Sequence, residues 1–262
     1  MVDVEEAPRV IYMTADELAR RLAGPIQLLG ASFYFDASTA ERAQELGLNV
    51  YEFYGLGRGG VLGDVDVALV QDAFYFFHPR TVAFLYDAPR AKAGPVAVAA
   101  AYLDAAYAFA DRTFGALSRD ALARLASAAH RVATATPRGR YPLADGYANF
   151  EPSSDVVHDA YWGAVYLREL RGGVHVEAVG EVGLLPVEAC YLQDESIFKL
   201  HGYSDEDVPV VTPELEAKKR EAEVLTNEKM AALLEVLDDT ERENLFAGVT
   251  AMAEALAHPV AR

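Results

Sequence analysis

The sequence predicts a mostly α-helical protein with little β-structure, laid out as two pseudo-repeated helical halves. Three observations carry this expectation. Helix-starting and helix-stopping residues recur along the chain. Two long stretches, 95–114 and 118–135, are rich in alanine, the best helix former. The tetrapeptide Arg-Gly-Gly-Val occurs twice, as Arg58-Gly59-Gly60-Val61 and as Arg171-Gly172-Gly173-Val174.

Near the N-terminus, Thr14-Ala15-Asp16-Glu17 is a capping box, in which a hydroxyl and a carboxylate satisfy the first free N–H groups of a helix; that helix is expected to stop near Gly24-Pro25. Ser38-Thr39-Ala40-Glu41 is a second box, with Gly47 as the stop. Asp64 opens a run to Phe77, closed by Pro79. The alanine-rich helices come next. Three prolines and two glycines between 136 and 152 then read as a loop joining the halves. Beyond it, Ser153 or Ser154 caps a helix to Leu170, and another helix spans 186–200. Residues 203–211 read as acidic and extended. Thr212-Pro213-Glu214 starts a long charged helix, and Asp239-Thr240-Glu241 starts the last one, whose Leu245, Val249, Met252 and Leu256 form one stripe. Strand signals are confined to Val10-Ile11-Tyr12 and 208–211. The expected organisation is an N-terminal half over 1–135, a linking loop over 136–152 and a C-terminal half over 153–262.

The two halves share more than the tetrapeptide. Twenty residues separate Ser38 from Arg58, and eighteen separate Ser153 from Arg171. Aromatic residues precede each arginine: Tyr51, Phe53 and Tyr54 in one half, Tyr161, Trp162 and Tyr166 in the other. Each glycine pair reads as a helix-to-helix turn needing positive φ. Each arginine reads either as a partner for helix-end carbonyls or as a clamp for a carboxylate or phosphate.

Bulk properties exclude several function classes. The 262 residues have 52% hydrophobic content, enough for a sizeable core, and a formal charge of −17. That sign opposes a phosphate backbone, because nucleic-acid affinity comes largely from lysine and arginine releasing counterions. One cysteine, Cys190, suits a reducing compartment. The acidic start has no signal-peptide pattern, and the longest apolar stretch is too short to span a bilayer, so a cytoplasmic location with no membrane partner is expected. No Gly-x-Ser-x-Gly elbow and no Cys-x-x-Cys occurs, and Gly55-Leu56-Gly57-Arg58-Gly59-Gly60 lacks the βαβ context of a dinucleotide fingerprint. The expectation is therefore no cofactor and no metal.

A family resemblance rests on longer motifs. From Leu28 onward the chain resembles SalK-like actinobacterial proteins, which carry a MarR-like helix-turn-helix. The matching residues are Tyr34-Phe35-Asp36, Leu46-Gly47-Leu48, Arg58, Leu62-Gly63 and Phe74-Tyr75-Phe76-Phe77-His78-Pro79. They continue with Tyr161-Trp162 and Leu167-Arg168-Glu169-Leu170-Arg171-Gly172-Gly173-Val174-His175. The resemblance implies a scaffold derived from a winged helix. Where such proteins have a recognition helix and wing, this chain passes from Ser204 to Thr212 in a handful of residues. A groove-reading helix needs about three turns, so the DNA-reading part is expected to be degenerate.

A small-molecule pocket is expected between the halves, walled by Tyr34, Tyr54, Phe74, Tyr75, Tyr161 and Trp162, with Arg58 and His78 as polar ligand contacts. His175, Arg171, His158 and Glu169 are the candidate catalytic residues. An imidazole titrates near neutral pH, and a carboxylate orients it for general acid/base work. The expected function is a small-molecule-binding protein of actinobacterial specialised metabolism, either a cofactor-independent acid/base enzyme (isomerase, cyclase, lyase or hydrolase) or a binding accessory. The competing classes are a MarR-like ligand-responsive regulator and a helical interaction protein whose last two helices pair with a partner or with a second copy, the second case being a homodimer through the C-terminal helices.

Overall fold

The computed structural model describes residues 13–258, and among these the chain forms thirteen α-helices and no strand. The all-α expectation holds at that level. Val10-Ile11-Tyr12 lies outside the described residues. The stretch 208–211, which follows a 3-10 turn at Asp205–Asp207, forms neither strand nor helix.

The helices are α1 (Ala15–Ala31), α2 (Ala37–Glu45), α3 (Val50–Gly60), α4 (Val67–Ala73), α5 (Pro79–Val82), α6 (Pro95–Phe114), α7 (Arg119–Ala135), α8 (Pro142–Tyr147), α9 (Val156–Glu181), α10 (Pro186–Gln193), α11 (Glu195–Leu200), α12 (Pro213–Leu234) and α13 (Asp239–Ala257). Capping chemistry sets most starts. The Thr14 hydroxyl accepts from the Glu17 N–H at 3.1 Å, and the Thr212 hydroxyl accepts from the Leu215 N–H at 3.2 Å. Asp238 and Glu241 form a reciprocal box. Gly47 takes φ +71° after α2, the left-handed conformation that only glycine adopts without strain.

Several boundaries differ from the sequence reading. α1 continues through Gly24-Pro25, because Leu18, Leu22, Ile26 and Leu29 bury one continuous face and packing outweighs the hydrogen bond that Pro25 removes. The cap of α2 is Asp36, whose carboxylate accepts from the Ser38 N–H at 3.0 Å, rather than Ser38. The run expected from Asp64 to Phe77 is the short α4, and Pro79 begins α5 instead of only ending a run, since proline's missing N–H costs nothing at a first helical position. The helix expected over 186–200 breaks at Asp194, which is extended and caps α11. The expected loop over 136–152 contains α8, which buries Leu143, Ala144 and Tyr147; the Trp162 indole N–H on α9 donates to the Tyr147 carbonyl at 3.0 Å.

α9 is the axis of the molecule. α1, α6, α7, α8 and α12 all pack on it, and α13 covers α7 and α1. Met230 and Leu234 of α12, with Leu245, Val249 and Met252 of α13, lie in the same core as the α9 residues Tyr161, Val165, Leu167 and Leu170. Among the described residues no single helix is long and apolar enough to cross a membrane.

The twin tetrapeptides correct the sequence reading most sharply. Neither glycine pair forms a turn with positive φ. Arg58-Gly59-Gly60 is the last turn of α3, whereas Arg171-Gly172-Gly173-Val174 lies inside α9, which runs on to Glu181 rather than ending at Leu170. Close approach explains the glycines of α3 instead. A Cβ on Gly60 would lie 2.1 Å from the Pro95 carbonyl oxygen, and one on Gly59 would lie 2.8 Å from the Tyr86 ring. Four glycines each cost about 0.8–1 kcal/mol relative to alanine in a helix. α3 is therefore held by its packing on α6 and on the π-helical turn Ala83–Asp87, not by propensity.

Candidate functional site

The local geometry of α3 and α9 places two arginines and one glutamate together. Arg58 is buried at the end of α3, and its Nε and Nη2 donate to the two carboxylate oxygens of Glu169 at 3.0 and 2.8 Å. Arg168, the residue before Glu169 on α9, donates from Nη1 to the same carboxylate at 2.6 Å. The Tyr34 hydroxyl lies 3.5 Å from it, and Arg58 Nη1 donates to the Tyr54 hydroxyl at 3.3 Å. Burial alone would raise the Glu169 pKa, but the two guanidinium groups hold it at about 2, so Glu169 is an anion. The cluster thus carries two positive charges and one negative. Arg168 Nε is buried and has no hydrogen-bond partner.

This cluster faces a cavity of about 1430 Å³. Aromatic rings lead to it in sequence. Phe35 and Tyr51 stand at the rim with centroids 5.6 Å apart; Tyr54 lies 6.4 Å from Phe35 and 6.4 Å from Phe74; Phe74 lies 4.7 Å beneath the Arg58 guanidinium. Exposed apolar side chains gather at the same mouth: Leu28, Phe35, Tyr51, Phe84 and Leu200. Exposed apolar residues collected in one place mark a binding surface more than scattered ones do.

From the cluster the cavity lining continues along the stripe of α9 formed by Arg168, Gly172, His175 and Val179, spaced i, i+4, i+7, i+11. A Cβ on Gly172 would meet nothing within 4 Å. Arg171 donates to Glu223 of α12 at 2.9 Å, and its own Nε is buried without a partner. His175 Nδ1 lies 2.9 Å from the Thr226 hydroxyl, which itself donates to the Ala222 carbonyl at 2.6 Å. That hydroxyl proton is committed, so Nδ1 is the donor and Nε2 is the acceptor of the neutral ring. His201 repeats the arrangement: Nδ1 donates to the Ile197 carbonyl at 2.7 Å, and the ring packs on Phe77 with centroids 4.2 Å apart. Burial lowers the pKa of both histidines. At His175 Glu223 opposes the shift and Arg171 adds to it, while at His201 the Ile197 carbonyl opposes it and Arg58 and Arg168 add to it. The cavity can therefore hold an anion at one wall and offer neutral imidazoles as proton acceptors at others.

Of the residues expected from sequence, Arg58, Tyr34, Tyr54, Phe74, Glu169, Arg171 and His175 line this cavity. The others do not come to it. Tyr161 is sealed in the core, its hydroxyl donating to the Leu29 carbonyl at 2.9 Å. Trp162 stacks on His130, 4.4 Å away, on the α7 side of α9. His158 lies 3.0 Å from Asp111 and stacks on Tyr107. His78 caps α5, its Nδ1 accepting from the Arg80 N–H at 3.1 Å. Tyr75 turns against Phe76 and a smaller cluster around Val179 and Leu184. Glu169 is held by arginines and orients no histidine. Sequence reasoning missed Arg168 and His201 as cavity residues. The signal for Arg168 was an Arg-Glu pair directly after the apolar run Ala164-Val165-Tyr166-Leu167, where charges are buried only if paired. His201 reads in sequence as a helix-end cap, and it does end α11. Cys190 is inert, its thiol pushed up to about 12 by burial.

Comparison with curated proteins and with solved structures gives no match. A family model described as a helix-turn-helix family matches residues 19–209, a span that includes the cavity-lining residues from Tyr34 to His201 but not those of α12. The chain belongs to this helix-turn-helix family.

Proposed function

We propose that this helix-turn-helix scaffold serves as a vessel for a small molecule with a large apolar body. The observation that carries the reading is the cavity itself: about 1430 Å³, aromatic along one wall and floored by a buried Arg58–Glu169–Arg168 cluster. Small-molecule pockets are usually about 300–1,000 Å³, mostly apolar with a few convergent polar groups. This one is larger, which suits a polycyclic or long-chain ligand. Gly172 supports the same reading. A glycine inside a helix costs about 0.5–1 kcal/mol relative to alanine, and here no neighbour requires it; what it leaves is room in the cavity.

The SalK-like and MarR-like kinship and a winged-helix ancestry belong to this proposal. What supports them is that the motif from Leu167 to His175 supplies Arg168, Glu169, Arg171, Gly172 and His175 to the cavity wall. Only a single 3-10 turn separates Ser204 from Thr212, and the net charge is −17, which favours ligand binding over duplex reading.

The test is N-phenyl-1-naphthylamine, a neutral dye that fluoresces in apolar surroundings, titrated into the native protein and into Gly172→Trp. Binding to the native protein and at least a tenfold loss in the variant, with no fall in Tm, are expected. Equal binding to both proteins would overturn the reading.

A further inference from the structure

The charges around the cavity are out of step with the rest of the chain. Arg58, Arg140, Arg168, Arg171, Lys199 and Lys219 line it, against Asp72, Glu169, Glu177 and Glu223, a local balance of +2 in a protein of −17. At the buried wall the excess is one positive charge. Both Glu169 oxygens are taken by Arg58, and one also receives Arg168, so a single carboxylate answers two guanidinium groups. Arg168 keeps a buried Nε–H with no acceptor. An uncompensated buried charge and an unmade hydrogen bond are both costly. An anion bound beside Arg168 removes the first of these costs and gains affinity from it.

We propose that the ligand is a monoanionic carboxylic acid whose carboxylate docks on Arg168 beside Arg58 and Glu169 and whose apolar body runs along Tyr34, Tyr54 and Phe74 towards Phe35. The inference rests on the cavity being a ligand site. One negative charge neutralises the cluster. A neutral ligand would leave it at +1, and a dianionic phosphate would reverse it to −1. A carboxylate also presents two coplanar acceptors to a guanidinium, a geometry that an alcohol or amide lacks. The rim supplies the apolar end: Leu28, Phe35 and Phe84 are exposed there, continuous with the ring path that ends at Phe74 beneath Arg58.

The experiment uses two fluorescent probes with one apolar body, 1-pyrenebutyrate and 1-pyrenebutanol, titrated into the full-length protein at pH 7.5. The carboxylate is expected to bind at least about tenfold more tightly than the alcohol, the usual weight of a charge-assisted hydrogen bond. Arg168→Met should bring that ratio towards one. The Arg58–Glu169 pair survives in this variant, and the native ratio decides by itself should the variant fail to fold. Equal binding of the two probes to the native protein overturns the inference and leaves the cavity reading standing. A preference that persists unchanged in Arg168→Met overturns the docking site. If neither probe binds, the cavity reading falls, and the inference falls with it.

Discussion

The same four residues, Arg-Gly-Gly-Val, stand at the end of α3 and in the middle of α9, and they do different work in the two places. In α3 both glycines are pressed against neighbours, and Arg58 is buried in a two-pronged ion pair with Glu169. In α9 a Cβ on Gly173 would lie 3.0 Å from the Tyr141 ring, one on Gly172 would meet nothing within 4 Å, and Arg171 reaches Glu223, which is 46% exposed. The residues immediately C-terminal to each tetrapeptide make the difference. After Val61 comes Leu62-Gly63, with Gly63 at φ +96°, and the helix ends. After Val174 comes His175-Val176-Glu177-Ala178-Val179, where Ala178 and Val179 are buried like Val174 itself, and the helix continues. A local identity does not specify a turn; the apolar pattern beyond it does.

If that contrast is right, the arginines should separate most widely. Arg58→Met leaves the buried Glu169 with Arg168 alone, and breaking a buried pair costs about 3–5 kcal/mol; the lower end is expected because one partner remains. Arg171→Met removes a half-exposed pair, worth about 1 kcal/mol or less. Urea unfolding at pH 7 reads both, and equal losses would erase the distinction. Glu169 adds an acid signature. Its folded pKa, about 2, lies below the ordinary 4.5, so the unfolded chain binds the proton first as pH falls. Its contribution is whole above pH 4.5 and is lost progressively towards pH 2. Arg58→Met should flatten that slope.

The glycines give the next largest separation. Gly60→Ala drives a methyl to 2.1 Å from the Pro95 carbonyl oxygen. Because the obstacle is backbone, α6 must shift, and about 2–3 kcal/mol of stability should be lost. Gly172→Ala meets open space and relieves helix entropy, so it should stabilise by up to about 1 kcal/mol. Opposite signs in Tm would sharpen the comparison. A loss at both positions would break it, since it would mean that Gly172 is packed.

Much of the fold and of the cavity is legible in the sequence, and the parts that are not share a cause. The ends of α6 and α7 can be read from alanine content, Ser118 and the flanking prolines, which are local signals. Arg58, Glu169, Arg171, His175 and three of the aromatic wall residues are legible too, from their motifs. Tyr161 shows what local reading cannot supply. It falls on the same α9 stripe as Arg168, seven residues earlier and so about 10 Å nearer the N-terminus. There, Leu29, Phe33, Phe109 and Phe114 seal it into the core. Which length of a stripe is covered depends on α1 and α6, which are distant in sequence. The same holds for His201, brought to Phe77 from over a hundred residues away, and for α3, whose glycine content argues against the helix that packing imposes.

The smallest effect expected distinguishes the regions by pH near neutrality. His175, beside Arg171, has its pKa lowered by burial, with Glu223 opposing and Arg171 adding to the shift. Its folded pKa therefore lies below the unfolded value of about 6.5. Between the two the unfolded chain binds more protons, so stability rises with pH through that window and falls as pH drops below about 6.5. His201 contributes in the same direction from the Arg58 side. His175→Gln, which keeps a donor for the Thr226 hydroxyl, should remove part of this slope and leave the acid slope of Glu169 intact. Urea midpoints at pH 7.5 and 5.5 measure it. An unchanged near-neutral slope would mean that His175 contributes nothing to it and that His201, on the Arg58 side, carries it.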